Sequence, residues 1–195
     1  MRVSAGRDTV RMRNRSSKRV VRSRAVWATA ARLGQVHWFF GNVYEAMVDM
    51  PQLLADARSD RAPELLGAGS PLRYYLPVAP VTLAATAATL VGGWRSGGDR
   101  RAVIAAAAGT VSATALTAYL VRTVNLPLLR GDEPLGEAEV RGLVRTWHRG
   151  NLARLLALAV AMWALGHGAR GEVAGENRLP RVHTKPGVRT SPPSR

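Results

Sequence analysis

The chain contains no cysteine, which excludes a disulfide framework, a thiolate metal site and a cysteine nucleophile. Lysine is nearly missing too: Lys18 and Lys185 are the only two among 28 basic residues. Such a preference for arginine, beside abundant alanine, fits codon bias in a GC-rich bacterial genome. Acids are few, 13 in all, leaving a formal net charge of +15. No ten-residue segments alternate apolar with polar residues, so a membrane β-barrel is not expected. Also missing are a Gly-x-Ser-x-Gly elbow, a Walker phosphate loop, a dinucleotide fingerprint and a His-Glu-x-x-His helix. His37, His148, His167 and His183 are scattered without metal-ligand spacing, so neither a metal nor another cofactor is expected.

What is present is segregated along the chain. A length of 195 residues suits one domain with or without tails. The net charge alone suggests nucleic acid, yet a mean hydropathy of −0.06 is high for so basic a chain. Position resolves the conflict. Residues 1–24 carry nine arginines and lysines against Asp8, and residues 168–195 carry six against Glu172 and Glu176. Both segments read as disordered basic tails, the second broken by Pro180, Pro186, Pro192 and Pro193.

Residues 25–167 between them read as an all-α, four-helix transmembrane bundle with spans at about 25–50, 74–94, 102–121 and 150–167. Tyr74–Trp94 and Ala102–Val121 contain no charge, and a bilayer core about 30 Å thick needs roughly 20 apolar residues. Their alanines, glycines, threonines and serines suit close helix packing in lipid. The first span is the most polar and is expected to close at Pro51. Residues 132–149 read as an amphipathic helix leading into the fourth span.

With both termini cytoplasmic, the tails and the Arg95–Arg101 turn gather 18 of the 28 basic residues on one side. That asymmetry is the positive-inside pattern of an inner-membrane protein. The expected partners are anionic lipid headgroups at the basic tails and a helix-packing partner or second copy, not nucleic acid.

Ionisable groups at bilayer depth mark where function is sought first. At 100° per residue, Gln35, Trp38, Asn42, Glu45 and Asp49 share an arc of about 80°, with His37 and Tyr44 roughly opposite. Trp147, Asn151 and Arg154 share a face of the fourth span, and Thr110, Thr114, Thr117 and Asn125 form a stripe on the third. Antiparallel helices put Glu45, Asp49 and Arg154 at one depth, which predicts a buried ion pair of Arg154 with either acid. Such an interior either fixes helix register, binds a small molecule or conducts protons. Glu45 and Asp49 are the candidate catalytic bases if a pocket exists. From the residues alone, a structural or accessory membrane protein is expected.

The blocks GNVYEAMVDMPQLL, SPLRYYLPVAPVTL, TAYLVRTVNLPLL and WHRGNLAR resemble those of a bacterial integral membrane family grouped with anthrone oxygenases. The resemblance spans roughly residues 30–165. It implies a four-helix membrane protein and, as an alternative function, cofactor-independent oxidation of a lipophilic aromatic anthrone in the bundle interior. It also implies that Asn42, Glu45, Asn125, Trp147, Asn151 and Arg154 are interior polar residues of the family type.

Overall fold

The computed structural model describes residues 5–60, 75, 77–130 and 135–176, and among these it is helical with short turns and no strand. Helix α1 runs unbroken from Ala5 to Met47 over 43 residues. No proline precedes Pro51, and arginine and alanine are good helix formers, so nothing interrupts the backbone ladder. The expected disordered tail at 1–24 is therefore corrected from Ala5 onward: it is the first part of α1.

The first span ends before its expected limit. Val48 and Asp49 form a turn, with Asp49 at φ 49°, in the left-handed region that side chains seldom adopt. Pro51 then lies in the first turn of α2 (Met50–Asp60), where its missing N–H costs nothing.

Helix α3 (Val78–Arg95) and helix α4 (Arg100–Leu120) form a tight antiparallel hairpin. Gly97 supplies φ 73° there, while Gly98 N–H donates to the Gly93 carbonyl at 3.0 Å. The Asp99 carboxylate caps α4 by accepting from Arg101 N–H at 2.9 Å and Ala102 N–H at 3.4 Å. A π-helical turn at Val121–Asn125 comes next and passes into α5 (Leu126–Arg130).

Helix α6 (Glu137–Glu176) fuses the expected lead-in helix and fourth span into 40 continuous residues. Glu137 and Glu139 in its first turn complement the positive end of the helix dipole. Because α6 reaches Glu176, the expected second tail is helical over residues 168–176; its remainder lies outside the described residues.

Helix α4 packs chiefly on α6, α3 chiefly on α1, and α1 also packs on α6. Among the long helices that pack side by side, α3 and α4 have the least extensive contact. Small residues set these distances. A Cβ added at Gly109 would lie 2.6 Å from the Ala157 carbonyl oxygen and 3.0 Å from the Ala161 nitrogen, both backbone atoms of α6. Neither can yield without moving the helix, so Gly109→Ala is expected to cost about 1–3 kcal/mol. Gly166→Ala, where a Cβ meets nothing within 4 Å, is the control. Thermal melting of both variants in detergent checks the difference, and equal melting would contradict this seam.

The interior is unusually polar for its apolar exterior. Gln35, Asn42, Glu45, Thr82, Thr86, Thr110, Asn151 and Arg154 are buried, while Leu33, Phe40, Val111, Leu152, Leu156 and Trp163 are exposed. One continuous helical stretch, Arg100–Leu129, is by length and composition able to cross a membrane. It is the one such stretch among the described residues, where four were expected. The physical reason is plain in two of the others. The described part of α1 carries Arg32 and Glu45 in its expected span, and α6 carries Arg154.

Candidate functional site

The site is built where the second half of α1, the start of α3, the end of α4 and the middle of α6 converge. Arg154 on α6 is its centre. Its Nη2 donates to Glu45 Oε2 on α1 at 3.3 Å and to Asn151 Oδ1 at 2.7 Å. Its Nε donates to the same Asn151 oxygen at 3.2 Å, and its Nη1 to Thr117 Oγ1 on α4 at 3.4 Å. The two charged side chains are 6% and 10% exposed, which makes this a buried pair rather than a surface contact. Tyr75 also hydrogen-bonds Glu45 through its side chain.

Asn151 ties the centre back to α1, donating from Nδ2 to the Asn42 carbonyl oxygen at 3.1 Å. Asn42 donates from its own Nδ2 to the Trp38 carbonyl at 2.7 Å. A second polar contact lies further along the bundle. Gln35 Nε2 donates to Thr86 Oγ1 at 3.3 Å and to Thr110 Oγ1 at 3.2 Å, joining α1 to both α3 and α4.

Of the two acids expected to compete for Arg154, Glu45 wins. Asp49 is corrected out of the interior network: its Oδ1 lies 3.2 Å from His148 Nε2, with both side chains close to half exposed. The periodicity that places Asp49 beside Glu45 fails because α1 stops at Met47 and the left-handed turn swings the chain away. A polar contact this exposed contributes little, and Asp49→Asn is expected to cost less than about 1 kcal/mol in a detergent melt.

Two other expectations change as well. Trp147 is buried at 2%, packed in an apolar cluster with Leu54, Leu120, Val124 and Leu128, so it is core rather than part of the polar network. Thr114 donates to the Thr110 carbonyl of its own helix at 2.8 Å and, unlike Thr110 and Thr117, accepts no bond from another helix among the described residues. Gln35, Asn42, Glu45, Thr117, Asn151 and Arg154 do converge across helices.

Beside the ion pair lies a cavity of about 120 Å³. Its polar edge is Glu45, Arg154, Thr117 and Asn125, and its remaining wall includes His37, Trp38, Tyr75 and aliphatic residues from Leu54 to Leu129. The π-helical turn explains Asn125. A π segment adds a residue to the turn and rotates the chain beyond it, and such turns gather at functional sites. Here Val121 and Asn125, its first and last residues, both line the cavity. Asn125 Oδ1 is buried with no hydrogen-bond partner in the structure. Gln35 Oε1 and Asn42 Oδ1 are likewise buried acceptors without a donor.

Helical periodicity sets His37 across α1 from the polar stripe, yet it lines the cavity with Glu45. Tyr75 and Thr82, neither of them named as a site residue from the sequence, line it too. Thr82 packs so close to Gly34 that a Cβ there has no room. The signal for both is their position in the first part of the second expected span, where Tyr75 meets Gly41 and Thr82 meets Gly34 on α1. Among the described residues no group of three or more metal-binding side chains occurs. Comparison of the chain with family models, curated proteins and solved structures finds no match.

Proposed function

We propose that this chain is a small polytopic inner-membrane protein, a four-helix bundle with both termini cytoplasmic, that holds a lipophilic small molecule beside Glu45 and Arg154. The observation that carries the reading is the inverted polarity. Charged and amide side chains are inside, while Phe40, Val111, Leu152, Leu156 and Trp163 are each more than half exposed. Exposed large apolar surface is what a lipid-facing protein presents. In lipid a buried charge must be satisfied inside the fold, and the Glu45–Arg154–Asn151 chain does so across α1 and α6. The cavity beside the ion pair supports a ligand in preference to a bundle closed for packing alone.

This protein acts in such a reading as an accessory or carrier subunit. A second reading, an anthrone oxygenase-like enzyme without a cofactor, is favoured by one feature: a carboxylate, Glu45, on the wall of a largely apolar cavity. It would serve there as the base that removes a proton from the substrate. Purified chain oxidising anthrone, and Glu45→Gln abolishing that turnover without unfolding, would establish the second reading.

The topology has a direct test. Single cysteines introduced as Ser4→Cys and Ser59→Cys into the cysteine-free chain are expected to differ in whole cells. An impermeant thiol reagent should label position 59 and spare position 4. Labelling of position 4 would overturn the orientation, and extraction of the chain by carbonate would overturn the membrane reading itself.

A further inference from the structure

We infer that the end of the bundle at the α3–α4 hairpin seats the headgroup of an anionic phospholipid, its phosphate held by arginines from α1, α3 and α4. The inference rests on the proposed membrane reading. It adds to the basic tails a docking surface made by the folded helices themselves.

The helix register assembles this surface. Helices α1 and α3 run antiparallel: Tyr75 meets Gly41, Thr82 meets Gly34, and Gln35 donates to Thr86. Continuing that register sets Trp94 and Arg95, at the end of α3, beside the segment of α1 from Arg22 to Trp27. The hairpin then starts α4 at the same end, with Arg100 and Arg101 in its first turn. Three helices thus bring Arg22, Arg24, Arg95, Arg100 and Arg101 to one end, all of them exposed.

These charges are not compensated within the chain. Asp99 is the only acid in residues 22–44 and 78–131. Its carboxylate is occupied in capping α4, where it accepts from Arg101 N–H and Ala102 N–H. None of the five arginines forms an ion pair among the described residues. At the opposite end of the bundle Arg141 and His148 do have acidic neighbours, Glu137 and Asp49. The hairpin end therefore attracts an anion from outside the chain.

The surroundings select a lipid over a soluble polyanion. Trp27 and Trp94 are 44% and 48% exposed, and the Arg100 guanidinium lies 5.1 Å over the Trp94 ring. Half-exposed tryptophan beside arginine is the arrangement found at headgroup level, with the indole body toward the acyl chains and the cation at the phosphate. The stretch able to cross a membrane, Arg100–Leu129, begins at this level. A guanidinium grips a phosphate with two parallel N–H bonds. A zwitterionic headgroup brings its own cation to compete for that phosphate, so the anionic headgroup is preferred.

The test is native mass spectrometry of the full chain in detergent, titrated with phosphatidylglycerol or with phosphatidylcholine of the same acyl chains. The first phosphatidylglycerol is expected to bind at least about tenfold more tightly, given roughly fivefold for each arginine near an anionic surface. Arg95→Gln, Arg100→Gln and Arg101→Gln combined should abolish that preference, with phosphatidylcholine binding and the lipid-free melt unchanged. Arg24→Gln with Arg95→Gln leaves the start of α4 intact and should lose part of the preference, so the site stays testable if the triple variant misfolds. Arg7→Gln, Arg11→Gln and Arg13→Gln combined removes equal charge elsewhere and should keep the preference. An equal loss in that control would assign the effect to net charge and overturn the site. A short single-stranded RNA that displaces phosphatidylglycerol from the same arginines would overturn the lipid in favour of nucleic acid. A chain that stays in carbonate-washed membranes yet shows no preference overturns the headgroup site alone, whereas a chain that carbonate extracts overturns the membrane reading beneath it.

Discussion

Arg154→Ala is expected to lower the stability of the folded chain by about 3–5 kcal/mol, the largest effect of any polar substitution in this protein. The reason lies in what remains rather than in what is removed. Glu45 stays buried, 10% exposed at its side chain, without the cation that offsets its desolvation. Asn151 Oδ1 also loses both donors that now reach it from the guanidinium. For a chain of this size, each kcal/mol shifts Tm by roughly 2–4 °C, so the melt in detergent should fall by about 6–20 °C. Removing both charges together behaves differently. Glu45→Leu with Arg154→Met leaves no buried charge, and replacing a buried pair by apolar side chains of similar volume is often neutral or stabilising. The double variant still leaves Asn151 Oδ1 without its donors but strands no charge, so it should melt well above Arg154→Ala alone. A double-mutant cycle in which the two losses simply add would show that the pair is not coupled.

The other large effect is predicted for Trp147→Ala, about 3–5 kcal/mol, for a different physical reason. This side chain is 2% exposed and packs with Leu54 of α2, Leu120 at the end of α4, Val124 in the π-helical turn and Leu128 of α5. Its removal leaves a large void in a region where three connected helical segments meet α6. Trp147→Phe should retain most of the stability, because the cluster needs volume more than it needs the indole N–H. Equal losses for alanine and phenylalanine would instead return Trp147 to a polar role. Proteolysis after α2 is a second readout, since Leu54 is held to α6 by this cluster.

Much of the polar interior is legible in the residue pattern. The spacing Gln35, Asn42, Glu45 puts three side chains on one face of a helix, and all three are buried facing other helices. Arg154 with Asn151 three residues earlier gives the matching face on the last helix. Antiparallel alternation of four apolar segments then suffices to bring Glu45 and Arg154 to one depth, and they meet at 3.3 Å. Helical periodicity succeeds here because both residues lie well inside regular helix.

It fails where the helix is not regular. Asp49 sits two residues past the end of α1, in a left-handed turn, so a further 100° per residue does not describe it. Asn125 sits at the end of a π-helical turn, and its position in the cavity depends on that extra residue rather than on the threonine stripe that points to it. Trp147 shares a face with Asn151 and Arg154, but one helical face can be apolar at one level and polar at the next. Which level Trp147 occupies is decided by α2 and α5 folding back against it.

Without cysteine and without clustered histidines, the chemistry at the centre of this bundle is that of one carboxylate, one guanidinium and a few amides and hydroxyls. The sequence alone determined that inventory, the helical class, and the helices on which the polar groups ride. Those come from composition and from a period of 3.6, which are local properties. Only the tertiary structure decided that Glu45 rather than Asp49 meets Arg154, that Trp147 is core, and that a cavity remains beside the pair. Each depends on where a helix ends, where a turn adds a residue, and how closely Gly109 lets two backbones approach. Ångström-scale offsets of that kind are set by packing between segments far apart in sequence, and no local pattern records them.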